Sequence, residues 1–224
     1  MTLVFAGLGR LVRGVSVSGS VAGALVCFAL YAAAGPGAFA ALVSVFVLTW
    51  IATRVGYWRK QKLGTAESRE GRTASQVLAN LATAAIFAVV STLSGKAIFL
   101  VATAAALSEA AADTVSSELG QAQGRNVRLI TTWEAVSAGT DGGVSVVGTA
   151  TGVTAALVIS ALCTLVGLVP PRWALFSLFG GVLGMIVDSY LGATLERRRF
   201  LNNNWVNFLS TLAAAGIALL LAKV

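Results

Sequence analysis

The sequence predicts an all-α membrane protein, a polytopic bundle of about seven transmembrane helices, and three observations support this fold class. Charged residues make up only 11% of the 224 residues and hydrophobic residues 57%, whereas soluble domains carry about 25% charged residues. Several apolar runs approach the roughly 20 residues that a helix needs to cross a bilayer. None of these runs alternates as the strands of a membrane barrel do. We expect one domain, residues 1–224, embedded in the lipid bilayer.

The predicted spans follow one another between short polar connections. Gly35-Pro36-Gly37 separates the first two, and Pro170-Pro171 closes the fifth, because proline cannot continue a helix interior. No small-residue cleavage site follows the first apolar run, so we expect a retained helix rather than a signal peptide. The spans cover approximately residues 11–34, 38–53, 74–93, 97–118, 144–169, 173–195 and 205–222.

Basic residues are divided unequally between the two sides that these spans define. With a cytoplasmic N-terminus, 13 of the 16 Lys and Arg residues fall on the cytoplasmic side. An excess of Lys and Arg in short loops is typical of that side. All nine carboxylates also fall on cytoplasmic loops or on cytoplasmic helix ends. We therefore expect a site that faces the cytoplasm, where a charged, soluble co-substrate would arrive.

The composition excludes several common kinds of site. The chain has no histidine, which excludes Ser-His and Cys-His nucleophiles and imidazole metal ligands. Cys27 and Cys163 stand singly in apolar runs, where buried and reduced thiols are expected. Gly95-Lys96 lacks the upstream glycine of a P-loop. Loop orientation in the bilayer explains the net charge of +7, so we predict no nucleic-acid partner.

A polar stretch from Ser108 to Thr149 lies inside the otherwise apolar sequence and holds five of the nine carboxylates. A charge at bilayer depth is costly unless it is paired or faces water, which makes intramembrane acids candidates for a functional site. Glu109 and Asp113 are four residues apart and share one face of the fourth span. A cation between them would remove their repulsion, and oxygen ligands suit Mg²⁺. Pairing with Arg125 or Arg128, or helix capping, is the alternative.

A second acidic motif lies in the sixth span, where Gly180, Gly184, Asp188, Gly192 and Glu196 recur every four residues. Small residues let neighbouring helices approach closely, so packing explains the glycines. Packing does not explain the aspartate. The stripe places it against the neighbouring helix near the cytoplasmic face, as a candidate site residue.

Two polar segments at this face are candidates for contact with an anionic ligand. Gly139-Thr140-Asp141-Gly142-Gly143 leads into the fifth span, with Ser145 in its first turn and Arg128 upstream. Glycines before a helix N-terminus present free N–H groups that bind anions, although an ordinary capped loop shows the same pattern. Asn202-Asn203-Asn204 and Asn207 precede and enter the last span, one as a cap and the others as hydrogen-bonding groups.

Six segments, in this order, resemble one family. They are GRTASQVLANL, SEAAADTVSSELG, RLITT, AGTDGGVSVVGT, DSYLGATLE and NNNWVNFLS. The resemblance is to the transmembrane-protein-19-like integral membrane group, formerly a domain of unknown function, and covers the chain from about Val15 onward. This group includes the chloroplast phytyl-phosphate kinase. The resemblance implies phosphoryl transfer from a nucleotide, CTP in related prenyl-alcohol kinases, to an isoprenoid monophosphate such as phytyl or geranylgeranyl phosphate.

The resemblance and the residue chemistry together lead to a set of expected site residues. A lipid monophosphate is already anionic, so its reaction depends on positioning and on cations rather than on a strong base. Asp113, Asp141 and Asp188 are expected to be catalytic, and Glu109, Asp113 and Asp188 to hold Mg²⁺. The residues expected to bind phosphate or to line the pocket are Arg72, Asn80, Arg128, Thr140, Gly142, Gly143, Ser145, Asn204 and Asn207.

Two other functional classes stay open. An ion-coupled transporter also carries acids on interrupted helices, and the motifs around Asp113 and Asp188 would then be a distant internal repeat. Against this, all acids lie toward one face rather than at the midplane. A cytidylyltransferase or phosphatase acting on the same lipid phosphates is the second class. We expect a prokaryotic inner (plasma) membrane, with the bilayer, an isoprenoid phosphate and a nucleotide as partners and a homo-oligomer left open.

Overall fold

The computed structural model describes residues 1–123 and 125–223, and the regular structure in them is almost entirely helical, which confirms the all-α class. A two-stranded ribbon, β1 (Arg128–Leu129) and β2 (Gly143–Val144), lies between the fifth and sixth helices. A π-helical turn, Gly192–Glu196, continues the seventh. The α-helices of the described residues are α1 Thr2–Leu11, α2 Val17–Arg54, α3 Tyr57–Leu63, α4 Ala74–Ser94, α5 Phe99–Gln123, α6 Val146–Leu165, α7 Ala174–Leu191 and α8 Asn203–Ala222.

Helix α2 is a hairpin rather than one straight rod. Its 38 residues include Gly35 at φ 73° and ψ −166°, a non-helical conformation that glycine adopts readily. A straight helix of this length would measure about 57 Å. However, Trp50 Nε1, near its end, donates to the carbonyl of Val12, just before its start, at 3.2 Å. The halves 17–34 and 36–54 therefore run antiparallel, and each is about as long as the roughly 30 Å hydrocarbon core is thick.

The bundle is built around α5, which packs against α2, α4, α6, α7 and α8. Nearly all of its residues from Val101 to Val115 are buried. Alanines dominate this segment, and small residues let several helices approach one backbone. Contacts between the polar loops show that they gather at one end of the bundle. We call it the basic end; it carries the loops 55–73, 125–145 and 197–202.

Each predicted span corresponds to a helix or to one half of α2. Five helical segments of the described chain are long and apolar enough to cross a membrane: α2, α4, α6, α7 with its flanking turns, and α8. The acid-bearing α5 is the remaining long helix. The predicted start of the first span at Leu11 was wrong, because the helix begins at Val17, where Ser16 Oγ accepts from Gly19 N at 3.1 Å. The short helices α1 and α3 and the ribbon were not predicted.

The loop after α2 folds back onto α5 through α3. Lys60 of α3 is fully buried there. Its Nζ donates to the carbonyl oxygens of Ala52 and Thr53, at 3.2 and 2.7 Å, and forms an ion pair with Glu118. A buried charge is tolerated when it is paired and hydrogen-bonded in this way. Lys60 is therefore the partner of Glu118, and this acid serves to attach the loop to the bundle.

Candidate functional site

Two cavities lie at the basic end, next to neighbouring faces of α5. The first, of about 320 Å³, is lined mainly by apolar side chains of α1, α2 and α4, and we call it the apolar cavity. The second, of about 130 Å³, is lined mainly by polar groups of α5, the 138–145 loop and the end of α7, and we call it the polar cavity. Ala110 lines the apolar cavity and Asp113 the polar one, so less than one helical turn separates them along α5.

The polar cavity collects acids from separate parts of the chain. Asp113 comes from α5, Asp141 from the glycine turn, Asp188 from α7 and Glu196 from the π-helical turn. The structure thus brings together the three aspartates that we expected to be catalytic. The cavity is also lined by Thr140, Gly142, Gly143 and Ser145, which were expected to contact phosphate.

Asp113 of α5 and Asp188 of α7 line the same side of the polar cavity, close enough for their charges to interact. Glu109, one turn deeper on α5, interacts with both of them. It is 1% exposed, and its Oε1 has no hydrogen-bond partner in the described part of the chain. Three neighbouring carboxylates at low dielectric repel one another strongly unless cations or protons offset their charge. The cluster therefore favours the binding of positive charge.

Residues of α8 hold one oxygen of Asp188 in place. Ser210 Oγ donates to Asp188 Oδ2 at 3.0 Å, and Asn207, with its amide nitrogen facing the same oxygen, donates at 3.2 Å. The side-chain oxygen of Asn207 accepts from Asn80 Nδ2 at 3.1 Å. Hydrogen bonds to a carboxylate hold it in the orientation that a metal or phosphate site needs. Because Asn80 lines the apolar cavity, these bonds also connect the two cavities.

The glycine turn packs directly on the π-helical turn. Gly142 has φ 73°, and a Cβ atom there would lie 2.4 Å from the backbone nitrogen of Ala193. Only glycine combines this φ with so close an approach. The contact brings Asp141 and Glu196 near enough to interact electrostatically. Single π-helical turns are frequent at functional sites, where they redirect side chains.

The polar cavity fits a metal that shares its coordination with a ligand, not a closed protein site. In the residues described, no group of three or more His, Cys, Asp or Glu side chains is arranged to hold a metal ion. Mg²⁺ is usually bound by one or two carboxylates together with water and substrate phosphates. Asp113 and Asp188 match that pattern. Glu109, the third expected ligand, lies beneath them with its unpartnered oxygen and does not line the cavity.

The apolar cavity has a basic mouth. Arg72 lies at its boundary with the polar cavity: its two terminal nitrogens are 3.4 and 3.5 Å from Thr114 Oγ1, and its charge interacts with Asp113. Deeper, the lining is apolar and aromatic. The arginines of the lining are Arg13, Arg54, Arg69 and Arg72, and its larger apolar side chains include Phe5, Leu42, Val45, Phe46 and Trp50.

Two further expected site residues lie away from the cavities formed by the described residues. Arg128 is exposed on β1, where pairing with Val144 fixes the backbone, and its guanidinium donates to the carbonyl of Trp133 at 2.7 Å. Asn204, on the first turn of α8, does not line the polar cavity, whereas its neighbour Asn203 does. Ser145 lines the cavity but also caps α6, since its Oγ accepts from the backbone of the first turn at 3.1 Å.

Sequence reasoning missed several residues of the two cavities. Glu196 was noted in the α7 stripe, but its turn toward Asp141 depends on the π-helical geometry, which no spacing rule predicts. Ser210 gave no signal within an apolar helix. Arg13 and Arg54 were counted only for membrane orientation, although the segments that carry them meet at one cavity.

Comparisons with known proteins identify relatives of this chain. An uncharacterized membrane protein of Methanocaldococcus jannaschii is 34% identical over 80% of this chain and 74% of its own length, and one of Synechocystis sp. is 33% identical over 85% and 76%. Protein VTE6, chloroplastic, of Arabidopsis thaliana is 29% identical over 95% of this chain and 67% of its own length. No solved structure matches the chain. The profile of the integral membrane protein family DUF92 matches residues 1–215, and the chain therefore belongs to that family.

Proposed function

We propose that the chain is a membrane-embedded kinase that transfers the terminal phosphoryl group of a nucleoside triphosphate, CTP, to an isoprenoid monophosphate such as phytyl or geranylgeranyl phosphate. The observation that carries this proposal is the pair of unlike cavities on α5. A lipid phosphate needs an apolar space with a basic mouth, and a metal–nucleotide complex needs acids and backbone donors. Phosphoryl transfer requires the two ligands to be adjacent.

The reaction suits a site without a strong base. An oxygen of the lipid monophosphate attacks the γ-phosphorus, the bond from that phosphorus to the bridging β-γ oxygen breaks, and the nucleoside diphosphate leaves. The attacking oxygen is already ionised, so the lack of histidine is no obstacle. Catalysis of such transfers rests on positioning and on spreading charge over cations. Arg72, at the boundary of the two cavities, would serve both tasks.

Asp113 and Asp188 would hold Mg²⁺, which supplies positive charge to the phosphates when it is bound. Asn207 and Ser210 orient Asp188 for that role through its Oδ2. Asp141 and the glycine turn form the outer wall of the same cavity, where backbone N–H groups suit phosphate oxygens.

The substrate class and the membrane orientation have separate support. The motifs of the transmembrane-protein-19-like group and the similarity to Protein VTE6, chloroplastic, favour an isoprenoid substrate. The excess of Lys and Arg at the end that holds both cavities favours a site facing the cytoplasm, in a prokaryotic inner membrane.

The test is a transfer assay with purified protein, Mg²⁺, geranylgeranyl phosphate and CTP labelled at the γ-phosphate, with ATP and GTP in parallel. Labelled geranylgeranyl diphosphate is the expected product. Three outcomes would overturn the proposal. The lipid products are also identified by mass spectrometry, because the γ-label enters neither a CMP-linked lipid, which would indicate a cytidylyltransferase, nor free prenol, which would indicate a phosphatase. Proton-driven uptake by proteoliposomes without any turnover would indicate a transporter.

A further inference from the structure

We propose that the arginines at the mouth of the apolar cavity form a headgroup site for a single-chain lipid phosphomonoester, with Arg13 and Arg54 binding the phosphate alongside Arg72. That the apolar chain of this lipid is an isoprenoid rests on the proposed function. The headgroup site itself rests on the charge, the backbone and the shape of this cavity.

Positive charge exceeds negative charge at the cavity mouth. Four arginines line it, and the described chain offers Arg13 and Arg69 no carboxylate within salt-bridge distance. Arg54 is held in place without an acid: its guanidinium lies 3.8 Å from the centre of the Trp50 ring and donates to the carbonyl of Val12 at 2.5 Å. Arginine clusters with free charge are typical sites for phosphate, whose oxygens accept several such hydrogen bonds.

The backbone at this mouth joins two distant segments. Val15 and Arg72 form a parallel bridge, in which Arg72 N donates to the carbonyl of Gly14 at 3.1 Å and Ser16 N donates to the carbonyl of Arg72 at 2.9 Å. Arg13, beside the bridge, has φ 54°, a left-handed conformation that is uncommon for arginine. Side chains 59 positions apart in the sequence are thereby held at one opening, as a binding site requires.

The cavity below the arginines accepts an apolar chain. Its wall consists of aliphatic and aromatic side chains from α2 and α4, including Leu42, Phe46 and Leu81. At Gly23, on the same wall, no heavy atom lies within 4 Å of an added Cβ, so open space reaches the helix backbone. About 320 Å³ is at the small end of ligand sites. A lipid with one chain fits this volume better than one with two.

Replacing Glu67 should change lipid binding in the direction opposite to replacing an arginine. In the described lining of this cavity it is the sole carboxylate. Its Oε2 lies 3.9 Å from Arg72 Nε and accepts from Gln76 Nε2 at 3.1 Å. A phosphate bound at Arg72 would compete with this carboxylate. Removing its charge should therefore strengthen binding, whereas removing an arginine should weaken it.

The experiment measures binding of radiolabelled geranylgeranyl phosphate to the purified full chain without nucleotide. Geranylgeraniol and inorganic phosphate serve as competitors that carry only the chain or only the charge. We expect Arg13→Gln and Arg54→Gln each to weaken binding about tenfold and Glu67→Gln to strengthen it severalfold. Arg198→Gln removes an exposed arginine at the same end that lines neither cavity, and should leave binding unchanged.

Each outcome decides the proposal. Folded Arg13→Gln and Arg54→Gln variants with wild-type affinity would overturn it, as would equal competition by geranylgeraniol or by inorganic phosphate alone. If a Gln variant fails to fold, Arg13→Lys replaces it and should bind more weakly than wild type, because Lys cannot make a bidentate contact. Nucleotide is absent from this binding experiment. If the variants change binding as expected but the transfer assay shows no kinase turnover, the headgroup site is supported and only the proposed reaction is overturned.

Discussion

The two cavities hold charges of opposite sign by different structural means. In the polar cavity, Asp113 and Asp188 project from the packed helices α5 and α7, and hydrogen bonds from Ser210 and Asn207 orient Asp188. In the apolar cavity, a backbone bridge between two loops brings Arg13 and Arg72 together, and Arg54 at the end of α2 reaches the first loop through the carbonyl of Val12. The acids lie on short side chains within the bundle, so helix packing and hydrogen bonds must hold them in position. Arginines at the membrane interface can reach their ligand with long side chains.

This difference indicates complementary ligands. The acidic side favours a cation and whatever the cation carries, and the basic side favours an anion with an apolar chain. Neither cavity alone would identify a phosphotransferase. Their adjacency at Ala110 and Asp113 of one helix does support that function, because the two ligands would meet at Arg72. The variants below test whether the two sides play these separate parts.

The largest effect is expected for Asp113→Asn. If Asp113 holds the proposed Mg²⁺, loss of its charge should lower the transfer rate by more than about 100-fold. The side chain keeps its shape, so expression and the thermal unfolding midpoint should stay near those of the wild type. The measurement pairs the transfer assay with thermal unfolding in detergent. A variant that fails to fold would instead make Asp113 a structural residue.

Glu118→Gln, five residues further along the same helix, should lower the stability of the protein and leave its transfer activity intact. It leaves the fully buried Lys60 without its partner, which should cost about 3 kcal/mol of stability. The unfolding midpoint should fall clearly, while the protein that remains folded keeps its transfer activity. A stable Glu118→Gln variant without activity would instead assign this acid to the transfer reaction.

Ser210→Ala should produce an intermediate loss confined to the polar cavity. Without the 3.0 Å hydrogen bond to Asp188, we expect Mg²⁺ to bind roughly tenfold more weakly. A correspondingly higher metal concentration would then be needed for the half-maximal rate. Lipid binding without nucleotide should not change. Ser177→Ala, which removes another buried hydroxyl of the membrane region far from both cavities, is the matched control. Equal effects of the two variants would contradict the role given to Ser210.

The smallest effect is expected for Gly23→Leu, which introduces a side chain into the open part of the apolar cavity. Turnover of the twenty-carbon geranylgeranyl phosphate should fall severalfold relative to that of the ten-carbon geranyl phosphate, because one methylene is worth about 0.8 kcal/mol of burial. Gly216→Leu makes the same change at an open position outside both cavities. If both variants leave the chain-length preference unaltered, the lipid chain does not lie along α2.

Much of the fold and part of the site were accessible without coordinates. Apolar runs predict helices because a backbone in lipid must satisfy its own hydrogen bonds. The four-residue spacing predicted the stripe on α7, and Gly184 indeed packs against both Glu109 and Ser210. The acids in this apolar setting identified three members of the polar cavity. The same reasoning wrongly placed Arg128 at the site. Sequence distance does not reveal the ribbon, which directs the Arg128 side chain away from both cavities.

By itself, the sequence determined an all-α membrane protein with most of its charges at one end, since the cost of burying polar groups in lipid leaves few alternatives. Only the tertiary structure decided which charges meet. The fold-back of α2 brings Trp50 to the turn that contains Val12 and Arg13, and helix packing places Asp188 beside the same cavity as Asp113 while it pairs Glu118 with Lys60. The physical reason is that such contacts depend on how small residues let helices approach and turn, and that packing involves the whole bundle at once.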